Sequence, residues 1–283
     1  MLYTPTFNDY LINVRGFSPL TAKVYLQCLC KFDYYMQVMG IPCERDLSQL
    51  DAARFFVFCS KEQGLQAKTI NLHRSALTSY YAFCVKFHCY PCNPFAETEP
   101  MREAKKLPHW IDEDTIKSVV GRFQSNSLQD TRDKFIILLL SHCGLRSGEV
   151  CNLRVEDINS SEVIVHGKGN KMRVVPISAA VREAWQAYMV FRVGIVSPFL
   201  FLCADNSQLT HSAVYKLVRR AFINDCPSED CHPHALRHSF ATICMLHNVP
   251  ISNIAHLMGH ASEATTLKYF AVIGKDQNPF DKF

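Results

Sequence analysis

The chain has 283 residues, 48% of them hydrophobic and only 20% charged, which supplies two modest packed cores and argues against disorder. It holds no run of eighteen or more apolar residues, and Asn8, Asp9 and Asn13 interrupt the stretch where a signal peptide needs its apolar core. A membrane span and a secretory leader are therefore outside expectation, the expected compartment is the cytoplasm, and a net charge of +4 permits nucleic-acid binding without requiring it.

The first helix is expected over Phe7 to Val14. Ser18-Pro19-Leu20-Thr21 then reads as a helix start, with Ser18 as N-cap and Pro19 at the first position, where its missing N–H costs nothing. Tyr25, Leu29, Phe32, Met36 and Met39 recur at helical spacing until Gly40 stops the run. A shorter helix follows from about Asp51 to Glu62, and a longer one from Ala67 to about Phe87. Ile70, Leu77, Tyr81 and Cys84 form the core stripe of the longer helix. Asn71, Arg74, Ser75 and Thr78 form a polar face that offers a surface to phosphates, although a solvated stripe is the default reading.

Pro91, Pro94, Pro100 and Pro108 punctuate the next stretch, which also carries Lys105 and Lys106; it reads as a linker. Beyond it the pattern turns to mixed α and β. The run Phe135 to Leu140 is apolar on all sides, and with its flanks from Asp130 to Cys143 suggests a buried helix. Glu162 to His166 and Met172 to Ile177 are β-rich runs joined by Gly167-Lys168-Gly169-Asn170-Lys171, a hairpin signal. Helices are expected at Ala179 to Arg192, Thr210 to Asn224, Pro233 to His247, Ile251 to Met258 and around Ala264 to Phe270.

Thirteen cysteines, an odd number scattered through apolar stretches such as those around Cys28, Cys30, Cys59, Cys84 and Cys143, read as buried reduced thiols. Cys89 with Cys92, and Cys226 with Cys231, His232 and His234, have partial metal-ligand spacing. The first pair has no second pair to close it, so structural zinc is not expected.

Four segments of the second half place unusual residues together. Gly144-Leu145-Arg146-Ser147-Gly148-Glu149 sets an arginine after a buried helix and an acid three residues on. Lys168 sits between glycines at the hairpin tip. His234-Ala235-Leu236-Arg237-His238 opens a helix behind Pro233, and Leu257-Met258-Gly259-His260 ends one, nine residues before Tyr269. Taken singly, each has an ordinary explanation: a surface ion pair, a solvated turn, a core histidine, one tyrosine of eleven. Their order and spacing together shift the balance.

These segments resemble the tyrosine recombinase family, which includes the phage integrases and the Xer-type resolvases. The family pattern has Gly-Leu-Arg-x-x-Glu, a hairpin lysine, His-x-Leu-Arg-His, Leu-x-Gly-His and a tyrosine about nine residues on, and every part is met here in order. The Ser18-x-x-Thr21-x-x-x-Tyr25 helix resembles the family's core-binding domain, so the likeness covers nearly the whole chain. It implies a mainly α fold with a small antiparallel β-sheet: an N-terminal all-helical, SAM-like core-binding domain over 1–90, a linker over 91–108, and an α+β catalytic domain over 109–283.

The resemblance also implies the chemistry. Tyr269 is the expected nucleophile, attacking a phosphodiester to give a 3′-phosphotyrosyl intermediate. The equatorial oxygens of the transition state gather negative charge, for which the planar forks of Arg146 and Arg237 are suited where a lysine is not. The phenol, with a reference pKa near 10, needs a base, and His234 beside Arg237 is expected to serve. Lys168, with Lys171 as alternative, is expected to protonate the leaving 5′-oxygen. His260 is expected to donate to a non-bridging oxygen, and Glu149 to orient Arg146 or His234.

No cofactor and no metal is called for, since the arginines supply the charge and the ester conserves the bond energy. The expected partners are double-stranded DNA with paired recombination sites and a homo-tetramer in synapsis that passes through a Holliday junction. An accessory DNA-bending protein or a second recombinase is compatible with this, and no membrane is involved. Three competing readings remain: a type IB topoisomerase, a DNA-binding protein with a vestigial site, and a metalloprotein on His234, His238 and His260, in which Arg237 would be an unwelcome cation.

Overall fold

A computed structural model describes residues 3–103, 109–167, 172–226, 231–260 and 266–267. The chain forms two compact units, Met1–Lys105 and Lys106–Phe283.

The first unit is helical. α1 (Thr4–Asp9) runs into one π-helical turn (Tyr10–Val14), followed by α2 (Pro19–Met39), α3 (Gln49–Lys61) and α4 (Ala67–His88). The expected caps hold α2: Ser18 Oγ accepts from the Thr21 N–H at 3.1 Å, and Gly40 ends the helix in the left-handed region at φ 66°. At α3, Ser48 and Asp51 cap reciprocally, the Asp51 carboxylate accepting from the Ser48 N–H and the Ser48 hydroxyl from the Asp51 N–H. The core between these helices is aromatic. Phe32 meets Phe55 and Phe95 edge-on, with centroids 4.8 and 5.4 Å apart.

Phe95 comes from the stretch read as linker. Up to residue 103 that stretch lies along α4, using the polar face that the sequence left to solvent or phosphates. Arg74 donates to the Thr98 carbonyl at 2.8 Å, Asn71 to the Met101 carbonyl at 3.0 Å, and Asn93 to the Thr78 carbonyl at 3.0 Å. The buried Phe95 ring anchors the segment. Lys105 and Lys106 lie outside the described residues.

The second unit is built around α6 (Leu128–His142), whose residues Phe135 to Leu140 are all buried, as an all-round apolar run requires. α5 (Glu113–Gly121), capped by Asp112, precedes it and lies outside the helices expected from the sequence. α7 (Ser147–Asn152) leads to β1 (Glu162–His166) and β2 (Met172–Pro176), an antiparallel hairpin in the register Glu162↔Pro176 to His166↔Met172. α8 (Ala179–Arg192), α9 (His211–Phe222), α10 (Pro233–Leu246) and α11 (Ile251–Met258) follow. The fold class is the expected one, mainly α with a small antiparallel sheet. Of the helix expected around Ala264 to Phe270, only Thr266 and Leu267 are described, both helical. Among the described residues no helix is long and apolar enough to cross a membrane.

The reading of all cysteines as buried thiols needs correction. Cys30, Cys89 and Cys92 are exposed, and Cys226 and Cys231 form a disulfide. Cys30 falls on the outer face of α2, two residues from the buried Cys28, because a helix turns by about 200° over two residues.

Candidate active site

The site is organised by the C-terminal end of α11. Gly259 adopts φ 64°, so that its N–H returns to the His256 carbonyl and the His260 N–H to the Ala255 carbonyl, both at 3.0 Å. This Schellman closure fixes the backbone of His260 and explains the glycine of Leu-x-Gly-His: a side chain there would be strained and would press on Arg173.

The last carbonyls of a helix lack intrahelical partners and carry the negative end of its dipole. Here three successive carbonyls face arginines. Leu257 accepts from Arg173 Nε at 2.7 Å, Met258 from Arg237 Nη2 at 2.6 Å, and Gly259 makes a longer 3.5 Å contact to Arg146 Nη2.

Glu149 balances these cations. As the third residue of α7 it accepts from the Arg146 N–H at 2.7 Å, and its other oxygen accepts from Arg146 Nη1 at 2.9 Å. Arg173 closes on it with Nη1 and Nη2, each at 2.8 Å, and Arg237 Nη1 lies 3.9 Å away. Burial pushes the Glu149 carboxyl up, but the hydrogen bonds from Arg173 and from the Arg146 backbone hold it below its ordinary value.

Arg237 is 3% exposed, and besides Met258 it donates to the Gly144 carbonyl. Gly144 turns the chain from α6 into α7 at φ 61°, a position where a Cβ would enter the Phe240 ring. The Arg146 side chain is 40% exposed, so one guanidinium of the pair is sealed in the protein while the other reaches solvent.

His260 Nε2 lies 3.1 Å from Arg237 Nη2, and Nδ1 lies 2.8 Å from Thr266 Oγ1. A guanidinium only donates, so in this arrangement Nε2 accepts and Nδ1 carries the proton. Burial first, then Arg237, Arg146 and Arg173, push the imidazole down to about 4. His234, exposed in the first turn of α10, stacks with His238 at a centroid distance of 6.2 Å. Burial and then His234 push His238 down to about 4.

The structure thus brings Arg146, Glu149, Arg237 and His260 together, with His234 three residues before Arg237 on α10. Lys168, Lys171 and Tyr269 lie outside the described residues. Arg173 joins the site without belonging to the spaced pattern: strand alternation puts it on the same inward face as Val175, and a buried arginine demands a carboxylate. Among the described residues no three His, Cys, Asp or Glu side chains are grouped to hold a metal ion.

A mainly helical two-unit chain with clustered arginines, a histidine and an N-cap glutamate in one α+β unit matches a known class. The chain belongs to the phage integrase family: residues 109–274 match the profile of that family and residues 5–87 that of its N-terminal SAM-like domain. It is a tyrosine-type DNA strand transferase. A tyrosine recombinase of Thermosipho africanus is 31% identical over 97% of this chain and 96% of its own length. Tyrosine recombinase XerC of Bacillus licheniformis is 27% identical over 93% and 89%. In fold, the chain is similar to the XerH site-specific recombinase bound to palindromic difH substrate, with a TM-score of 0.76 and 22% identity over 91% of this chain and 78% of that one.

Proposed function

We propose that this protein cleaves and rejoins duplex DNA at paired recombination sites through a 3′-phosphotyrosyl link to Tyr269. The observation that carries the reading is the convergence of the Arg146 and Arg237 forks and His260 on one helix end. Fixed, partly desolvated donors of this kind stabilise the charge that builds on a phosphodiester's oxygens as it becomes pentacoordinate. The XerH and lambda integrase structures that share the fold are described as bound to their DNA sites, which supports duplex DNA as the partner.

In the proposed step the Tyr269 oxygen attacks phosphorus as its proton passes to His234. The bond to the 5′-oxygen breaks, and Lys168 supplies that oxygen's proton. One phosphodiester becomes one phosphotyrosine ester and one 5′-hydroxyl, so the reverse attack by a partner strand's hydroxyl rejoins DNA without added energy. His260 donates to a non-bridging oxygen once its proton moves to Nε2, a shift that an approaching phosphate charge favours. Two such exchanges in a homo-tetramer pass through a Holliday junction. Residues 1–90 act as a core-binding domain and 109–283 as a catalytic domain, joined through 91–108, of which the part up to residue 103 packs on the first unit, in the cytoplasm.

The test uses purified full-length chain and a supercoiled plasmid carrying two copies of a duplex selected by binding from a random pool. Recombinant circles formed in the presence of a strong chelator are expected. Catalytic relaxation of plasmids lacking the selected duplex, with no recombinants, would favour the type IB topoisomerase reading.

A further inference from the structure

We infer that Arg173 is a positioning residue that sets the geometry of the phosphate clamp through Glu149 and the end of α11, and this rests on the strand-cleavage reading above. Arg173 lies on β2 and is 9% exposed. Its three nitrogens are all committed to the site's frame. Nη1 and Nη2 donate to the two oxygens of Glu149, and Nε donates to the Leu257 carbonyl.

Glu149 is bonded to a clamp residue, and Leu257 adjoins the carbonyls that receive the clamp. The Glu149 oxygen that takes Arg173 Nη2 also takes the Arg146 N–H, and the one that takes Nη1 also takes Arg146 Nη1. Leu257 precedes Met258 and Gly259, whose carbonyls face Arg237 and Arg146, and the Schellman closure that places His260 follows directly. The guanidinium also packs against Gly259, where an added Cβ would stand 3.0 Å from Nη1.

One side chain therefore fixes β2, the start of α7 and the end of α11 to each other. A lysine in its place keeps the charge but has one nitrogen for three directions, and cannot form the bidentate pair. Charge alone is thus separable from geometry. Arg173 spends all three nitrogens on Glu149 and the Leu257 carbonyl, so its influence on the reaction passes through other residues.

The experiment measures single-turnover formation of the covalent complex on a nicked duplex that carries the sequence selected from a random pool. Wild type, Arg173→Lys, Glu149→Gln and the double variant are compared, with duplex affinity and thermal unfolding recorded for each. Arg173→Lys is expected to stay folded, to bind the duplex within about twofold of wild type, and to cleave about ten to a hundredfold more slowly at saturation. The double variant is expected to cleave no more than about twofold more slowly than the worse single variant, because both changes break one unit.

A second substrate carries sulfur in place of the bridging 5′-oxygen. A thiolate leaves without a proton donor, so it bypasses the leaving-group acid, and it is expected not to restore Arg173→Lys. Wild-type rates in Arg173→Lys, additive losses in the double variant, or full rescue by the sulfur substrate would each overturn the inference. Should Arg173→Lys fail to fold, Arg173→Gln in a folded double variant with Glu149→Gln, cleaving at the wild-type rate, would also overturn it. Failure of the wild type itself to trap the duplex would instead overturn the strand-cleavage reading.

Discussion

Arg173 and Glu149 form a bidentate pair in which each carboxylate oxygen receives one guanidinium nitrogen at 2.8 Å. The pair is buried, so neither charge is well solvated when the other is removed, and this makes it a test of stability as well as of geometry.

Glu149→Gln leaves Arg173 in the interior without a counter-charge. The variant is expected to lose about 3 kcal/mol of stability in urea unfolding at neutral pH. Because the folded carboxyl is held below its ordinary value, the stabilisation from Glu149 is present above the carboxylate range and lost as pH falls through the lower folded value. The difference between wild type and variant should therefore shrink toward acid.

His238 and His260 are both pushed down to about 4 from an ordinary value near 6.5. The unfolded chain then binds more protons than the folded one between those values. Their contribution is complete above about pH 6.5 and is lost as pH falls toward about 4. Unfolding free energy measured across that window should decline with acid, and His260→Gln should flatten part of the decline.

Gly144 is required twice, for its φ of 61° and for the Phe240 ring that occupies the space of a Cβ. Gly144→Ala is expected to destabilise the protein by about 2 kcal/mol or more and to displace the carbonyl that receives Arg237. Thermal unfolding and the single-turnover cleavage rate should fall together.

Arg237→Lys keeps the charge but not the fork. It is expected to lower the cleavage rate by about a hundredfold or more while duplex affinity changes little, since the interaction is used most in the transition state. A loss of affinity equal to the loss of rate would assign Arg237 to ground-state binding instead.

Much of this architecture is legible in the sequence where a local rule has one answer. Ser18, Pro19 and Gly40 bracket α2 because capping and left-handed termination admit few residue types. The same rule marks Gly259 as the end of α11. α5 is not legible because it is short and buries only Ile116 and Val119, too few to show a period. The stretch 91–103 reads as linker because prolines punctuate it, whereas its placement is decided by one ring, Phe95, and by hydrogen bonds to α4.

The site shows the same division. Arg146, Glu149, Arg237 and His260 are visible as a spaced pattern, but a pattern cannot say that the last two carbonyls of α11 and that of Gly259 face the arginines. Arg173 is hidden in a β-rich run, Met172 to Ile177, and belongs to none of the four spaced segments. Lys168 and Tyr269, on which the chemistry turns, lie outside the described residues and are reached by the motif alone.

The central claim is therefore best tested at Tyr269 itself. Full-length protein is incubated with a nicked duplex carrying the selected sequence, digested, and the peptide that retains nucleotide is identified by mass spectrometry. A 3′-nucleotide adduct on the phenol of Tyr269, absent from Tyr269→Phe, is the predicted result. An adduct on another residue, or undiminished trapping by Tyr269→Phe, would contradict the account.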